Sequence, residues 1–392
     1  MTKDIQNNPA SGLHPPQVIS APASEYRVAS RKWQGIPGIE IASNGRRWAT
    51  WYTGEDREGP GNFVVLATSG DDGLTWIDPV LCVVPGLKRR SFDPCLWHGP
   101  KGRLWLFWAQ VGDNEHYDGR AGVWAIRTDD ATIETPVWTA PMRLCHGIMM
   151  NKPTVLANGE WLLPVSVWCE HPTHQPKDDV FAHRGTGVVA SEDEGETWNW
   201  RGGLVTLPCK TYDEHMLVER QDESIWMLIR TKYGIAESRS NDGGRTWCRA
   251  SPTELEHPDS RFFICRLQSG ALLLVKHHGF GDPCGLADRS HLTALLSDDE
   301  GRTWSKKGLL LDKRIGVSYP DGKQTPDGKI HIIYDFNRGD PPAKGDDREI
   351  LIATFTEEDI RAEKCVSSDS RLKQIVSKIP KGINLMVKEL PS

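Results

Sequence analysis

Polar and ionisable residues recur just before six apolar hairpins of this 392-residue chain. They are residues 34–35, 89–93, 151–152, 212–215, 289 and 319–321. The tyrosine and carboxylate side chains among them can act as nucleophile, acid or base, and the arginine and lysine side chains can bind an anion. If the hairpins surround one centre, these groups converge on one cavity. That pattern is typical of a catalytic site rather than of a solvated rim.

A motif with the pattern Ser-x-Asp-x-Gly-x-Thr-Trp occurs four times and indicates how the hairpins are organised. The copies begin at Ser69, Ser191, Ser240 and Ser297. In each copy the Asp can accept hydrogen bonds from backbone N–H groups of a tight turn, and the Gly supplies a positive φ. The terminal Trp can anchor the turn against neighbouring strands. Four copies in one chain predict a repeat architecture.

The apolar hairpin is a second repeat, and it occurs six times. Its first turn residues are Asn44, Lys101, Asn158, Asp222, Ser269 and Asp327, so the unit is 47 to 64 residues long. A unit of this length holds a four-stranded antiparallel sheet, and such sheets bury their faces by stacking radially. The sequence therefore predicts an all-β fold, a six-bladed β-propeller of four-stranded antiparallel blades.

The positions of the six hairpin units divide the chain into three expected regions. We expect an N-terminal arm over residues 1–27, the propeller over 28–356, and a C-terminal helix and tail over 357–392. A strand from before Trp33 is expected to complete the last blade and so hide its edge. The C-terminal region is expected to form a short amphipathic helix and tail outside the ring.

Composition and charge indicate which kinds of partner and which cellular compartment to expect. The net charge of −6 and the lack of a basic stripe argue against nucleic acid as a partner, and no apolar run is long enough to span a membrane. Residues 1–16 contain no apolar stretch after a basic start, so no secretory signal is predicted. The nine cysteines lack paired spacing, which indicates reduced thiols and a cytoplasmic location.

Metal binding is not expected, and neither is any cofactor. The sequence has no CxxC pair, and the histidines near the predicted cavity lack HxxxH spacing. The polar stretch 169–176 is expected to form either a loop over the cavity or a subunit contact. Homo-oligomerisation is therefore an open alternative.

Over roughly residues 33–335 the chain resembles the sialidase superfamily, the six-bladed propellers with Asp-box repeats. Asp93 in SFDPCLW matches the Asp of that family's second blade. Arg230 in WMLIRT and Arg289 in RSHLTALL match two of the three arginines that bind the substrate carboxylate in the family. Glu214 in YDEHMLVE and Tyr319 in VSYPDG match its glutamate and its nucleophilic tyrosine.

The chain also departs from the family pattern. Gly35 stands where the family has the first of its three arginines, and Asp335 replaces the glutamate that braces that arginine. The two differences look like one coordinated change. Lys152 is expected either to reach the anionic substrate in place of the missing arginine or to be a structural lysine.

The resemblance implies a retaining glycosidase that acts on a terminal acidic sugar. Tyr319 would be the nucleophile and Glu214 its base, because a tyrosine with a pKa near ~10 is a poor nucleophile alone. Arg230, Arg289, Asp93, Lys152 and Asp335 are the predicted substrate-binding residues. The acid/base should lie on the loop after the first inner hairpin, where Asp56 is favoured and Glu55 and Glu58 are rivals.

Two other functional classes stay open at this stage. A polysaccharide lyase would use a Tyr/His pair to abstract the proton beside a uronate carboxylate, and its product would absorb ultraviolet light. A catalytically silent carbohydrate-binding propeller would keep its function when Tyr319 is replaced by Phe. In each class the expected partner is a carbohydrate that carries a carboxylate.

Overall fold

The structure is a computed structural model, and it describes residues 12–112, 120–168, 183–207, 212, 214–278, 289–339 and 347–380. Its strands form six antiparallel sheets that follow one another along the chain, which confirms the predicted six-bladed β-propeller. Five sheets have four strands and the first has five. The innermost strand of blade one contacts the innermost strands of blades two and six, so the ring is closed around a central axis.

The described residues contain twenty-five strands. Blades one to three contain β1 (Gln17–Ile19), β2 (Trp33–Ile41), β3 (Arg47–Gly54), β4 (Phe63–Ser69), β5 (Ile77–Val84), β6 (Arg89–His98), β7 (Leu104–Gly112), β8 (Gly122–Thr128), β9 (Met142–His146), β10 (Thr154–Val155), β11 (Trp161–Val167), β12 (Gly185–Ser191) and β13 (Asn199–Val205). Blades four to six contain β14 (Met216–Glu219), β15 (Ile225–Thr231), β16 (Gly234–Ser240), β17 (Ser251–Pro252), β18 (Phe263–Arg266), β19 (Leu272–His277), β20 (Leu292–Ser297), β21 (Leu309–Asp312), β22 (Val317–Gln324), β23 (Ile330–Phe336), β24 (Arg348–Phe355) and β25 (Arg371–Ile379). The helical elements among these residues are the 3-10 turns Ser24–Tyr26 and Val28–Ser30 and the α-helix α1 (Glu357–Arg361).

The core lies between adjacent blades, because each sheet is covered on both faces. All nine residues of β7 are buried, and alternate side chains of this strand face opposite neighbours. Trp105 and Phe107 pack with blade three around Trp161, whereas Leu106 and Trp108 belong to a cluster shared with blade one. Burial on both faces explains why such strands read as continuous apolar runs rather than as alternating patterns.

The four repeated motifs form the turns between the third and fourth strands of blades one, three, four and five. In the turn between β16 and β17, Asp242 Oδ1 accepts hydrogen bonds from Ser240 Oγ and from the backbone N–H of Thr246, each at 2.8 Å. Asp242 Oδ2 accepts from Thr246 Oγ1 at 2.6 Å, and the φ of Gly244 is 85°. We call these four segments the aspartate turns. The other three have the same bonds, at Asp71, Asp193 and Asp299.

A C-terminal strand completes the last blade, which corrects the sequence prediction. β25 pairs antiparallel with β24 as the outer strand of blade six, whereas β1 pairs with β5 at the outer edge of blade one. The prediction that a strand from before Trp33 completes the last blade is therefore wrong. The propeller also extends past residue 356, since α1 is a short helix that leads into this last strand.

The pattern of β25 explains why the sequence suggested a helix there. Leu372, Ile375, Val376 and Ile379 recur at positions i, i+3, i+4 and i+7, which is the spacing of an amphipathic helix. The uncovered edge of β24 offers unpaired N–H and C=O groups to any adjacent segment. β25 pairs with that edge through two register shifts, so tertiary pairing overrides the local periodicity.

Two features of the described residues bear on membrane crossing and metal binding. No helix in this part of the chain is long and apolar enough to cross a membrane. No group of three or more His, Cys, Asp or Glu side chains within the same residues is arranged to hold a metal ion. The polar stretch 169–176 lies outside the described residues.

Candidate active site

A cavity of about 550 Å³ opens at one end of the central axis, where residues from all six blades meet. The described residues that line it are Trp33, Ile36, Arg57, Glu58, Arg90, Phe92, Asp93, Trp168, Tyr212, Glu214, Arg230, Arg289, Tyr319, Arg338 and Gly339. Five of the predicted site residues are among them, namely Tyr319, Glu214, Arg230, Arg289 and Asp93. The structure therefore brings together groups that are far apart in the chain.

Bulges in the innermost strands place three of the lining side chains. Ile36, Asp93 and Tyr319 lie where the pairing of the first two strands shifts register in blades one, two and six. Their φ angles are 57°, 48° and 54°, and a proline follows each of them. A non-glycine residue in this region costs about 1–3 kcal/mol, and such strain is concentrated at functional sites. The repeated x-Pro step in the inner strands is a sequence signal for these positions.

Tyr319 and Glu214 are in direct contact within the cavity. Tyr319 Oη donates a hydrogen bond to Glu214 Oε1 at 2.9 Å, and Arg230 Nη1 lies 3.0 Å from Tyr319 Oη and 2.6 Å from Glu214 Oε1. Burial and the charge of Glu214 raise the pKa of Tyr319 to about 12. Glu214 Oε2 is buried and has no hydrogen-bond partner among the described residues. The glutamate can therefore take the phenolic proton, and it keeps one oxygen for a bound ligand.

Asp259, which the sequence analysis missed, holds two of the arginines. Its carboxylate accepts a hydrogen bond from Arg230 Nε at 2.6 Å, and its backbone oxygen accepts from Arg230 Nη2 at 3.0 Å and from Arg289 Nη2 at 2.7 Å. The Arg289 guanidinium lies 5.5 Å from the centre of the Tyr319 ring and has no carboxylate partner among the described residues. Burial lowers its pKa, and the neighbouring guanidinium groups of Arg230 and Arg338 add to that effect.

Arg338 was also missed, and it supplies a third guanidinium group to the cavity. It follows β23 and lies 4.4 Å from the centre of the Tyr319 ring. It forms ion pairs with Glu58 and, at 3.3 Å from its Nε, with Asp335 Oδ2. The only sequence sign of this contact is the glycine at position 35 together with the aspartate at position 335.

Two carboxyl groups of the cavity have opposite protonation tendencies. Asp93 is buried, and this burial raises its pKa to about 8, since the repulsion from Glu58 and Glu214 adds to it and the attraction of Arg90 only partly offsets it. Burial alone would also raise the pKa of Glu58, but the charges of Arg338 and Arg90 lower it to about 2. Asp93 therefore keeps its proton at neutral pH, whereas Glu58 is ionised.

Well over half of the chain matches a known family. Residues 45–332 match the family model described as "BNR repeat-like domain". The chain belongs to this family. No curated protein matches the sequence.

The BNR-repeat propeller is similar in fold to several solved structures. It has 18% identity and a TM-score of 0.61 to a Hadza microbial sialidase, over 79% of this chain and 65% of the sialidase. For the intramolecular trans-sialidase from Ruminococcus gnavus the identity is 15% and the TM-score 0.57, over 84% and 94% of the two chains. For the alpha-L-arabinanase of Penicillium chrysogenum the identity is 14% and the TM-score 0.56, over 88% of this chain and 99% of the arabinanase. At these identities the likeness shows the fold alone.

The loop carboxylates predicted as acid/base are not all at the cavity of the BNR-repeat propeller. The side chain of Asp56 is 74% exposed, lies 3.8 Å from the guanidinium of Arg57 and does not line the cavity. Glu55 is also exposed and pairs with Lys32. Of the three candidates only Glu58 reaches the cavity. The structure therefore does not bring the favoured candidate Asp56 to the cavity, because the loop directs its side chain to solvent.

Lys152 and Asp335 have structural roles in the BNR-repeat propeller. Lys152 Nζ donates to the backbone oxygens of Ile39 and Leu96 at 2.6 Å each, and it pairs with Glu40 at 3.0 Å. It lines a second cavity and not the first, so of the two roles expected for Lys152 its position favours the structural one.

Asp335 is fully buried behind the first cavity and does not line it. It accepts hydrogen bonds from the backbone N–H of Ile36 at 2.9 Å and from Ser318 Oγ at 2.5 Å. Asp335 was predicted to be a substrate-binding residue, but the structure places it behind the cavity lining, where it pairs with Arg338.

Proposed function

We propose that this BNR-repeat propeller is a retaining exo-glycosidase that removes a terminal acidic sugar, either sialic acid or another ulosonic or uronic acid. The observation that carries the proposal is the hydrogen bond of 2.9 Å from Tyr319 Oη to Glu214 Oε1 inside the cavity. A nucleophile in contact with its own base, which a third group orients, is the arrangement that covalent catalysis needs. Arg230 is that third group, since it contacts both side chains.

In the proposed reaction Tyr319 Oη attacks the anomeric carbon while its proton passes to Glu214. The bond from the anomeric carbon to the leaving oxygen breaks, and a tyrosyl–glycosyl intermediate forms. Water then displaces the tyrosine, and the two inversions together retain the configuration. In this second step Glu214 returns the proton to the departing oxygen of Tyr319, and Arg230 stabilises the negative charge that develops there.

The arginines support an anionic substrate. Arg289 is buried in the same cavity as the guanidinium groups of Arg230 and Arg338, and it has no carboxylate partner among the described residues. A substrate carboxylate would supply that missing partner through charge-assisted hydrogen bonds. A phenol as nucleophile also avoids the repulsion that a carboxylate would have with an anionic sugar.

Asp93 is the proposed acid, in place of Asp56. It lines the cavity, and with a pKa of about 8 it holds a proton to give to the leaving oxygen at neutral pH. Its carboxylate form can then activate the incoming water. Glu58 is a poor acid by comparison, because its pKa of about 2 leaves it ionised.

The lyase alternative has less support from the cavity. It requires a histidine beside the tyrosine, and no histidine is among the described residues that line this cavity. A lyase product would still be recognised by its ultraviolet absorbance, so the assay below discriminates between the two reactions.

The test is hydrolysis of aryl glycosides of sialic acid, other ulosonic acids and uronic acids. We expect turnover of at least one, with the configuration of the first product retained by NMR. Tyr319→Phe should lower kcat/KM at least about a thousandfold, since it removes the nucleophile. Tyr233→Phe, at an exposed tyrosine that does not line the cavity, is the matched control and should have no effect. Turnover of none of these substrates, full activity of Tyr319→Phe, or an unsaturated product would each refute the proposal.

A further inference from the structure

Gly35 leaves a space in blade one that another residue occupies. A Cβ atom built on Gly35 would lie 2.0 Å from Cδ and 2.7 Å from Cγ of Arg338. Gly35 does not have a positive φ, so glycine is needed here for space and not for backbone conformation. The aliphatic stem of Arg338 therefore fills the volume that a side chain at position 35 would need.

Arg338 is fixed in this space at both ends. Its backbone oxygen accepts a hydrogen bond from Trp33 Nε1 at 2.9 Å, and its guanidinium pairs with Glu58 and Asp335. Asp335 Oδ2 also lies 3.2 Å from the Cβ position of Gly35. An arginine at either position 35 or position 338 would thus find the same carboxylate beside it.

We propose that Arg338 binds the carboxylate of the substrate together with Arg230 and Arg289, and that Gly35 is the residue that admits it. This inference rests on the proposed function, because it takes an acidic sugar as the ligand. Positions 35 and 338 then form one exchangeable unit. One of them can carry the arginine, and the other must be small.

The experiment measures binding separately from catalysis. Free N-acetylneuraminic acid, another ulosonic acid, glucuronic acid and the methyl ester of each are titrated calorimetrically into the full-length Tyr319→Phe protein. This background keeps the aromatic ring under Arg338 and removes turnover. The ratio of acid to ester affinity reports the carboxylate contact, whereas a general loss of packing would weaken both ligands alike.

The variants at positions 35 and 338 form a double-mutant cycle, and we expect their effects on the affinity for the acid to be strongly non-additive. Arg338→Gly should weaken binding of the acid about 10- to 100-fold and leave the ester unchanged, because a charged hydrogen bond is lost. Gly35→Ala should have a similar effect by displacing Arg338, but no effect when added to Arg338→Gly. The exchange Gly35→Arg with Arg338→Gly should restore the preference for the acid.

Arg338→Lys is a second variant in case Arg338→Gly does not fold. It keeps a positive charge beside Glu58 and Asp335 but loses the planar fork, so its preference for the acid should be intermediate. An unchanged ratio in either variant overturns the inference. So does an additive cycle, or a parent protein that binds no acid more tightly than its ester.

Failure of the inference and failure of the proposed function give different results. If hydrolysis requires Tyr319 but the ratio of acid to ester affinity does not depend on Arg338, only the inference fails. If the acid preference follows Arg338 but Tyr319→Phe still hydrolyses glycosides, only the proposed function fails.

Discussion

At the scale of single residues, the environment of each carboxyl group decides its role. Asp93 and Glu58 line the same cavity, yet burial raises the pKa of Asp93 to about 8 while Arg338 and Arg90 lower that of Glu58 to about 2. Carboxyl groups pushed apart in this way can serve as proton donor and as fixed charge. The residue type alone does not distinguish them.

Replacing Asp93 by Asn should remove the alkaline limb of the pH–rate profile. The protonated form is the active acid, so activity is present below pH 8 and falls as the pH rises through about 8. Asp93→Asn should lower kcat about 10²- to 10⁴-fold for a poor leaving group, with a smaller loss for 4-nitrophenolate, which needs little protonation. A retained limb near pH 8 in the variant would assign that titration to another group.

Stability provides a control on Asp93 that needs no substrate. Its pKa is higher in the folded protein than the unfolded value of about 4, so its contribution to stability is complete below that value and is lost as the pH rises through about 8. The Asn variant lacks this proton. Thermal melts between pH 5 and 9 should therefore show a smaller fall in Tm for Asp93→Asn than for the parent.

At the scale of elements, the aspartate turns join strands within a blade, and two of them also pack tightly against the blade before it. The φ of Gly301 is 79°, and a Cβ built on it would lie 2.5 Å from the Trp226 ring of blade four. A Cβ built on Gly195 of blade three would lie 2.9 Å from the Trp105 ring of blade two, and 2.8 Å from the Trp161 ring of its own blade. Glycine is thus needed in these two turns both for backbone conformation and for interblade packing.

Gly301→Ala should destabilise the propeller by more than the backbone strain alone. The matched control is Gly328→Ala, since Gly328 has a φ of 84° and a Cβ there would meet nothing within 4 Å. We expect the control to lose about 1 kcal/mol of unfolding free energy and Gly301→Ala to lose about 2–4 kcal/mol, because the tryptophan must also move. Equal losses in urea unfolding would show that the interblade contact is unimportant.

At the scale of the whole molecule, blades one and six are joined by side chains and not by a shared sheet. Ile39 N donates to Asp321 Oδ2 at 2.9 Å, and Ser377 Oγ of β25 donates to Gln34 Oε1 at 3.1 Å. A hydrophobic cluster also spans the two blades and includes Trp51 and Val376. The stability of the ring therefore depends on a strand close to the C-terminal end of the described residues.

Val376→Asp should open this junction, whereas the neighbouring Ile375→Asp should not. Val376 is 7% exposed and packs against blade one, while Ile375 is 49% exposed. An unpaired charge at the buried position should cost about 3 kcal/mol or more, and the exposed position should change stability by less than about 0.5 kcal/mol. Thermal unfolding followed by circular dichroism tests this, and similar melting of the two variants would mean that β25 does not hold the ring together.

Much of the architecture could be read from local patterns. The aspartate turns and the six hairpins are short segments whose turn chemistry and apolar runs act over a few residues, so their sequence is sufficient to predict them. Local pattern failed at β25, where helical spacing is overridden by the open edge of β24. The resemblance to a family identified Tyr319, Glu214, Arg230 and Arg289, all of which line the cavity.

The amino-acid order by itself determined the number of blades, their turns and the residue types available for chemistry, because these depend on interactions between near neighbours. Only the tertiary structure decided which groups share the cavity and in which protonation state. Trp33 and Arg338 are 305 positions apart and meet only because the ring closes. The pKa of Asp93 likewise depends on burial and on charges from other blades. Such long-range proximity and desolvation are properties of the closed propeller and do not follow from interactions between near neighbours in the sequence.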